Sequence, residues 1–192
     1  MNIGRRLMTP DEFLDWCQEQ EERFELVNGQ PRMMTGATRR HDRLVVNIIA
    51  HLHQALRGKP CQPNTADIAT RIPAGNVRRP DVTVDCGTSP DDSLEAEAPT
   101  AVFEVLSPST QGIDLIRKAE EYKTIPSLRH MVLFEPETAL VAVWSRGDQA
   151  EPWEMEEHTS LGATALLAAL EVSLPLATIY EGVTLAAAPN DG

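Results

Sequence analysis

No run of apolar residues in this 192-residue chain approaches the ~20 that a membrane span needs. No basic stretch followed by an apolar core opens it, so a secretory leader is not expected. Cysteine is scarce. Cys17, Cys61 and Cys86 are odd in number, widely spaced and without a C-x-x-C pair. That argues against a zinc knuckle or a disulfide framework, and for free thiols in a reducing, cytoplasmic setting. Internal repeats and clear linkers are also missing. Positive charge is in deficit, with 17 Lys and Arg against 29 Asp and Glu, a net charge of −12. Taken whole, that balance speaks against a nonspecific binder of nucleic acid or membrane surface.

What is present is ordinary globular composition, 42% hydrophobic and 24% charged. Disorder, collagen and coiled coil are thereby excluded for the chain as a whole. A domain of ~150 residues buries roughly 68–70% of its unfolded surface, so one core suffices here. The expected organisation is a single α/β domain over residues 1–185 with a disordered tail at 186–192. Charge is unevenly placed along it. Residues 23–79 carry ten basic side chains against Glu25, Asp42 and Asp67, a local balance of +7. Residues 81–192 carry five against twenty, a balance of −15.

Local signals outline the elements. Thr9-Pro10-Asp11-Glu12 is a helix start with a capping box and proline at the first position, predicting a helix to about Glu21. Asn28-Gly29 between short apolar runs predicts a hairpin with a type I′ turn. Leu44, Val45, Ile48, Ile49, Leu52 and Leu56 recur at helical spacing over residues 38–56. Strands are expected at 66–72, 81–86 and 101–106, then a helix at 112–123. A hairpin follows at 131–134 and 139–144, with a further strand at 153–156. A short helix is expected at 161–170 and a turn near 177–180.

Chemistry concentrates in two of these strands. Alternation puts Asp81, Thr83 and Asp85 on one face, with Val82 and Val84 on the other. Glu104 lies in Ala101-Val102-Phe103-Glu104-Val105-Leu106, a run apolar on both sides, as in a central buried strand. A lone carboxylate there costs several kcal/mol unless it is paired, protonated or metal-bound. One reading pairs Glu104 with a buried arginine or leaves it wet on an edge strand. The other has Asp81 and Glu104 jointly bind a divalent cation, Mg²⁺ taking one or two carboxylates plus substrate phosphates.

The ordered set Glu25-Leu26-Val27-Asn28-Gly29, Pro80-Asp81-Val82, Glu104-Val105-Leu106-Ser107-Pro108-Ser109, Asp114, Lys118, Tyr122 and Val132-Leu133-Phe134-Glu135-Pro136 resembles the Uma-two family. These are restriction-endonuclease-like proteins of the PD-(D/E)XK nuclease superfamily, and the likeness runs over about residues 9–180. The resemblance implies a mixed β-sheet flanked by helices with added hairpin strands. It implies a Mg²⁺-dependent site (Mn²⁺ serving in its place) that hydrolyses phosphodiesters with activated water. Asp81 and Glu104 match the motif acids and metal ligands, and Glu25 matches a first-hairpin acid, a further ligand or base. The superfamily's lysine position holds Leu106, and Lys118 on the following helix stands in for it as a catalytic cation. Without the resemblance, Lys118 reads as a surface ion pair with Asp114, four residues away.

By the same resemblance His41 faces the site, although by itself it reads as a helix-face histidine. Arg39 and Arg40, in the first turn of that helix, are expected to contact phosphate, or else to be merely solvated. His51 and His53 point about 200° apart on a helix and make no metal site. Trp144 and Trp153 read as core or hairpin cross-strand packing rather than a base-stacking platform, and Glu151, Glu154, Glu156 and Glu157 as a solvated strand end. The expected partner is nucleic acid, DNA rather than RNA, with no membrane; a homodimer is consistent with cutting two strands. Two other functions remain open at this point, a catalytically weak binding or regulatory module on a nuclease scaffold and a hydrolase of small phosphate esters.

Overall fold

The computed structural model describes residues 7–107 and 113–186. Its first layer is small. Helix α1 (Pro10–Cys17) starts as expected, with the Thr9 hydroxyl accepting the Glu12 N–H and Glu12 capping Thr9 in return. It stops four residues short of the expected end. Strands β1 (Phe24–Val27) and β2 (Gln30–Met33) form the hairpin, and Asn28 and Gly29 both take the positive φ that a type I′ turn demands. Strands β4 (Thr70–Arg71) and β5 (Val77–Arg78) complete a four-stranded sheet in the order β2-β1-β5-β4. Phe13 and Leu14 of α1 pack on it through Leu26, Ala69 and Val77.

The main sheet has six strands. These are β3 (Gln62–Thr65), β6 (Val82–Asp85), β7 (Pro99–Val105), β8 (His130–Glu135), β9 (Leu140–Ser145) and β10 (Glu154–His158), in the order β10-β9-β8-β7-β6-β3. Only β7 and β8 are parallel, and α3 (Ile113–Lys123) supplies the crossover between them. Alternation along β7 separates the two faces. Ala101, Phe103 and Val105 meet Leu44, Ile48 and Leu52 of α2 (Arg39–Ala55), while Val102 meets Tyr122 at the end of α3. The acidic stretch is a solvated edge, since Glu154, Glu156 and Glu157 are exposed on β10. Trp144 and Trp153 pack against the core beside α3, as expected.

Three expectations are corrected. Residues 66–72 are not one strand: a turn leads into the two-residue β4, and the pairing with β6 is made by β3, whose Pro63 is tolerated because β3 is an edge. Residues 161–170 are not a helix. Strand β11 (Thr164–Leu167) pairs with β12 (Val172–Pro175), with a 3₁₀ turn at Ala168–Leu170, and α4 (Leu176–Ile179) follows. Burial there alternates, Ala165 and Leu167 inside and Leu166 outside, so the true period is two. Cys61 and Cys86 are not free thiols but a disulfide. The register that sets Gln62 opposite Asp85 sets Cys61 opposite Cys86, a proximity that their spacing in sequence cannot show. The thiol argument for a reducing compartment therefore lapses, with Cys17 alone remaining free. No described helix is long and apolar enough to cross a membrane. Residues 187–192, most of the expected tail, lie outside the described residues, as do Pro108 and Ser109 of the motif.

His130 ties the β11–β12 layer to the main sheet. Its ring Nε2 accepts the Ala169 N–H at 3.1 Å, and Nδ1 lies 2.9 Å from the Ser145 hydroxyl. Burial, with the Arg129 cation nearby, pushes its pKa down to about 4 from 6.5. The native state thus holds this ring neutral while the unfolded chain takes up its proton first. Stability should fall as pH drops from about 6.5 toward 4, by on the order of 3 kcal/mol from this group. Urea unfolding of wild type and His130→Gln at pH 7 and pH 4.5 measures it. The variant should lose much less stability between the two pH values, and equal losses would place the proton uptake elsewhere.

Candidate active site

The site forms where the chain passes from the small sheet to the large one. Strand β5 ends at Arg78, and Arg79-Pro80-Asp81 leads directly into β6. The β6–β7 register pairs Val82 with Phe103, so one step further Asp81 stands opposite Glu104. The two acids thus lie side by side, Glu104 on β7 and Asp81 at the entry to the neighbouring β6. Asp81 Oδ2 accepts the Val105 N–H at 2.8 Å and lies 3.2 Å from His41 Nε2. His41 reaches it because Thr38 caps α2 and aims the helix start at the end of β6. Burial would lower the His41 pKa, but the bond to Asp81 and the Glu104 charge raise it overall.

Glu104 is buried on the α3 side of β7, and α3 compensates it. The Tyr122 hydroxyl donates to Glu104 Oε1 at 2.6 Å, and the Lys118 ammonium lies 3.7 Å from the same oxygen. Burial dominates even so, and with the Asp81 charge beside it the carboxyl is pushed up to about 7. Lys118 is not the surface residue expected, and the side chain of Asp114 lies outside the described residues. The lysine is buried, and among the described residues its nearest carboxylate is Glu25 Oε1 at 3.0 Å. Burial alone would lower its pKa; Glu104 and Glu25 outweigh that and keep it raised, so it is charged.

Glu25 itself is enclosed. Its Oε1 also accepts the Arg79 N–H, and its Oε2 accepts from Arg78 Nη1 at 2.9 Å. Despite burial, Lys118 and Arg78 hold its pKa below the usual value. Arg78 continues to Glu121 Oε2 at 2.6 Å, and Asn76 and Arg117 share the other Glu121 oxygen.

Arg78 carries no sequence signal for this role. Glu121 and Tyr122 have one, because Lys118, Glu121 and Tyr122 fall at i, i+3 and i+4, on one helix face.

The expected basic face is largely neutralised. Arg23 pairs with Asp67, Arg71 with Glu95 and Asp11, and Lys59 with Glu171. Arg78 is spent on Glu25 and Glu121, and Arg79 on backbone carbonyls. Arg39 and Arg40 do share the first turn of α2 with His41, at the Asp81 end of the sheet. Arg40 donates to Glu137 at the β8–β9 turn, 3.1 Å away, while Arg39 is exposed and has no carboxylate partner among the described residues. Cavities of about 570 and 200 Å³ lie elsewhere, around the loop joining β6 to β7, and neither is lined by Asp81 or Glu104.

Among the described residues no three His, Cys, Asp or Glu side chains gather as a ready-made metal cage. The donor set nevertheless suits Mg²⁺, which needs only one or two carboxylates and keeps several waters. Asp81 Oδ1 and Glu104 Oε2 accept no hydrogen bond from the described residues. Two adjacent acids of which one resists ionisation form a place that a hard cation relieves.

Without a cation, ionised Glu104 opposes folding. Its raised pKa means that stability falls as pH rises from about 4.5 through 7. Glu104→Gln should therefore stabilise the metal-free protein by roughly 1–3 kcal/mol at pH 8 and by much less at pH 5. Thermal melts in chelator at the two pH values test this, and a destabilised variant at pH 8 would overturn it.

A protein family described as putative restriction endonuclease, Uma2, matches residues 10–177. The uncharacterised protein slr1290 of Synechocystis sp. is 26% identical over 178 residues, covering 92% of this chain and 93% of that protein. The uncharacterised protein sll1609 of the same organism is 25% identical over 134 residues, 68% of this chain and 76% of its own. The crystal structure of a putative nuclease belonging to DUF820 from Anabaena variabilis superposes with a TM-score of 0.69. It covers 91% of this chain and 98% of that one at 15% identity, a likeness of fold. The mixed sheet flanked by helices and the match over most of the sequence agree: the chain belongs to the Uma2 family, putative restriction endonucleases.

Proposed function

We propose that this chain is a metal-dependent endonuclease that hydrolyses phosphodiester bonds of nucleic acid, DNA in the first instance. The observation that carries the reading is the placement of Lys118. Residue 106, two positions after Glu104, is a leucine, yet the ammonium of Lys118 lies 3.7 Å from Glu104, the acid that stands opposite Asp81. A cation delivered from a helix takes the place of one expected on the strand.

In this reading Asp81 and Glu104 would hold Mg²⁺ or Mn²⁺, using the oxygens that take no donor from the described residues. The cation supplies Lewis acidity, making water a nucleophile near neutral pH and offsetting charge on the phosphate. Lys118 places a second, protein-borne positive charge where the transition state gathers negative charge, which is the larger part of what a preorganised site contributes. Tyr122 fixes the Glu104 carboxylate by its hydrogen bond, and His41 with the Val105 N–H fixes Asp81. Arg39 and Arg40 share that helix start and would meet flanking phosphates, Arg40 in competition with its bond to Glu137. Water adds to phosphorus, one P–O ester bond breaks, and the departing oxygen takes a proton. Two copies of the chain would set one such site on each strand of a duplex.

The alternative of a binding module draws on Leu106 and on the tight engagement of Lys118 by Glu25. One experiment separates the two. Cleavage of plasmid DNA, single-stranded DNA and structured RNA is measured with Mg²⁺, Mn²⁺ or chelator for wild type, Asp81→Asn, Glu104→Gln and Lys118→Met. Metal-dependent cutting should fall at least ~10²-fold in each variant. Cutting that survives in all three, or wild-type protein that binds DNA without cutting it, would sink the nuclease reading.

A further inference from the structure

Neither free oxygen of the site belongs to Glu25. Its Oε1 takes two donors, Lys118 Nζ at 3.0 Å and the Arg79 N–H at 3.2 Å, and its Oε2 takes Arg78. A metal or proton arriving at this acid would compete directly with Lys118 and Arg78, two buried cations. The position of Glu25 in the first hairpin therefore needs another account.

The account lies in a chain of three ion pairs. Register sets Leu26 of β1 opposite Val77 of β5, and so Glu25 opposite Arg78. That cross-strand pair projects onto α3. Lys118 meets Glu25 and Glu121 meets Arg78, one helical turn apart, so the chain leaves the helix at Lys118 and returns to it at Glu121. Charges alternate at every step. We propose that Glu25 is a positioning residue, which with Arg78 and Glu121 clamps the Lys118 ammonium beside Glu104.

Three physical arguments support this assignment. Lysine is a flexible stem ending in a strongly hydrated charge, so buried without a partner it would swing out to water or lose its proton. Glu104, at 3.7 Å, is beyond hydrogen-bond reach of the ammonium and competes poorly with Glu25 at 3.0 Å. Moreover, a buried ion-pair chain is a poor source of stability compared with apolar packing. Arg78 Nη2 is buried with no hydrogen-bond partner among the described residues, so this series of ion pairs is not even fully satisfied by them. What such a chain delivers is position.

The catalytic consequence rests on the nuclease reading; the positioning itself does not. Its test uses the full-length protein and variants Glu25→Gln, Glu25→Asp and Arg78→Lys. Phe13→Leu serves as a control that loosens the same small sheet without touching the ion pairs. Native protein is treated with a water-soluble acetylating reagent, and Lys118 modification is read by peptide mass spectrometry; Mn²⁺ affinity is read by calorimetry. Lys118 should be protected in wild type and react at least tenfold faster in Glu25→Gln, with Glu25→Asp and Arg78→Lys between them. Mn²⁺ affinity should stay within about twofold of wild type, and any DNA cleavage should lose kcat while KM holds. A Mn²⁺ affinity that collapses in Glu25→Gln while Lys118 stays protected would make Glu25 a ligand and overturn the proposal. Equal exposure of Lys118 in Phe13→Leu at matched melting temperature would also overturn it, reducing the pairs to general support. Should Glu25→Gln not fold, the two charge-conserving variants carry the same comparison. Should wild type cut nothing, the nuclease reading fails, and the labelling still decides the role of Glu25.

Discussion

A carboxylate on a strand buried on both faces is the constraint around which this protein is arranged. Glu104 sits on β7, with β6 and β8 on either side and helices packed over both faces. Water cannot solvate it freely, so the protein must. Tyr122 donates a hydrogen bond, and Lys118 brings a charge that itself has to be made tolerable below the surface. Lys118 in turn requires Glu25, Glu25 requires Arg78, and Arg78 requires Glu121. Each buried charge recruits the next until the series returns to α3. The compensation remains incomplete, since the Glu104 carboxyl is still pushed upward. An environment that resists a second negative charge beside Asp81 is one that accepts a cation.

The two sheets owe their relation to this series. The small sheet brings Glu25 and Arg78, the large one Asp81 and Glu104, and α3 brings the residues that join them. Asp81 stands where the chain leaves one sheet for the other. Helix α2 closes the arrangement from the opposite face, its capped first turn placing His41 against Asp81. The candidate side chains Glu104, Lys118, Tyr122 and His41 come from three regular elements, while Asp81 lies in the short connection between the sheets and is held there by the Val105 N–H and His41.

Charge distribution shows how far a linear reading can mislead. The positive first half and negative second half look like a two-faced molecule, yet in space they largely interleave. Arg71 reaches Glu95, Arg40 reaches Glu137, Lys59 reaches Glu171, and Arg78 reaches Glu121. Of the expected basic segment, Arg32, Arg39, Arg43 and Arg57 stay exposed without a carboxylate partner among the described residues, and of these Arg39 shares the first turn of α2 with His41. Binding of a polyanion here would depend on a few cations and a metal rather than on a broad field, in keeping with the net charge of −12.

What the residues determine by themselves is whatever is decided within a few positions along the chain. The capping box at Thr9, the Asn28-Gly29 turn, the apolar stripe of α2 and the strand around Glu104 all follow from neighbours. The oddity of a glutamate in an apolar strand was visible at that level, as was the pairing of Asp81 with it as a motif. Residues 161–170 were misread because a short apolar run has no decisive period until its pairing strand β12 is known. Tertiary structure alone decided the partners. Cys61 meets Cys86, Lys118 meets Glu25, and Glu25 meets Arg78, 53 positions away, because strand register and the crossover through α3 bring them together. Propensity acts over one turn, whereas ionic and covalent pairing acts through space, and only the folded chain converts one into the other.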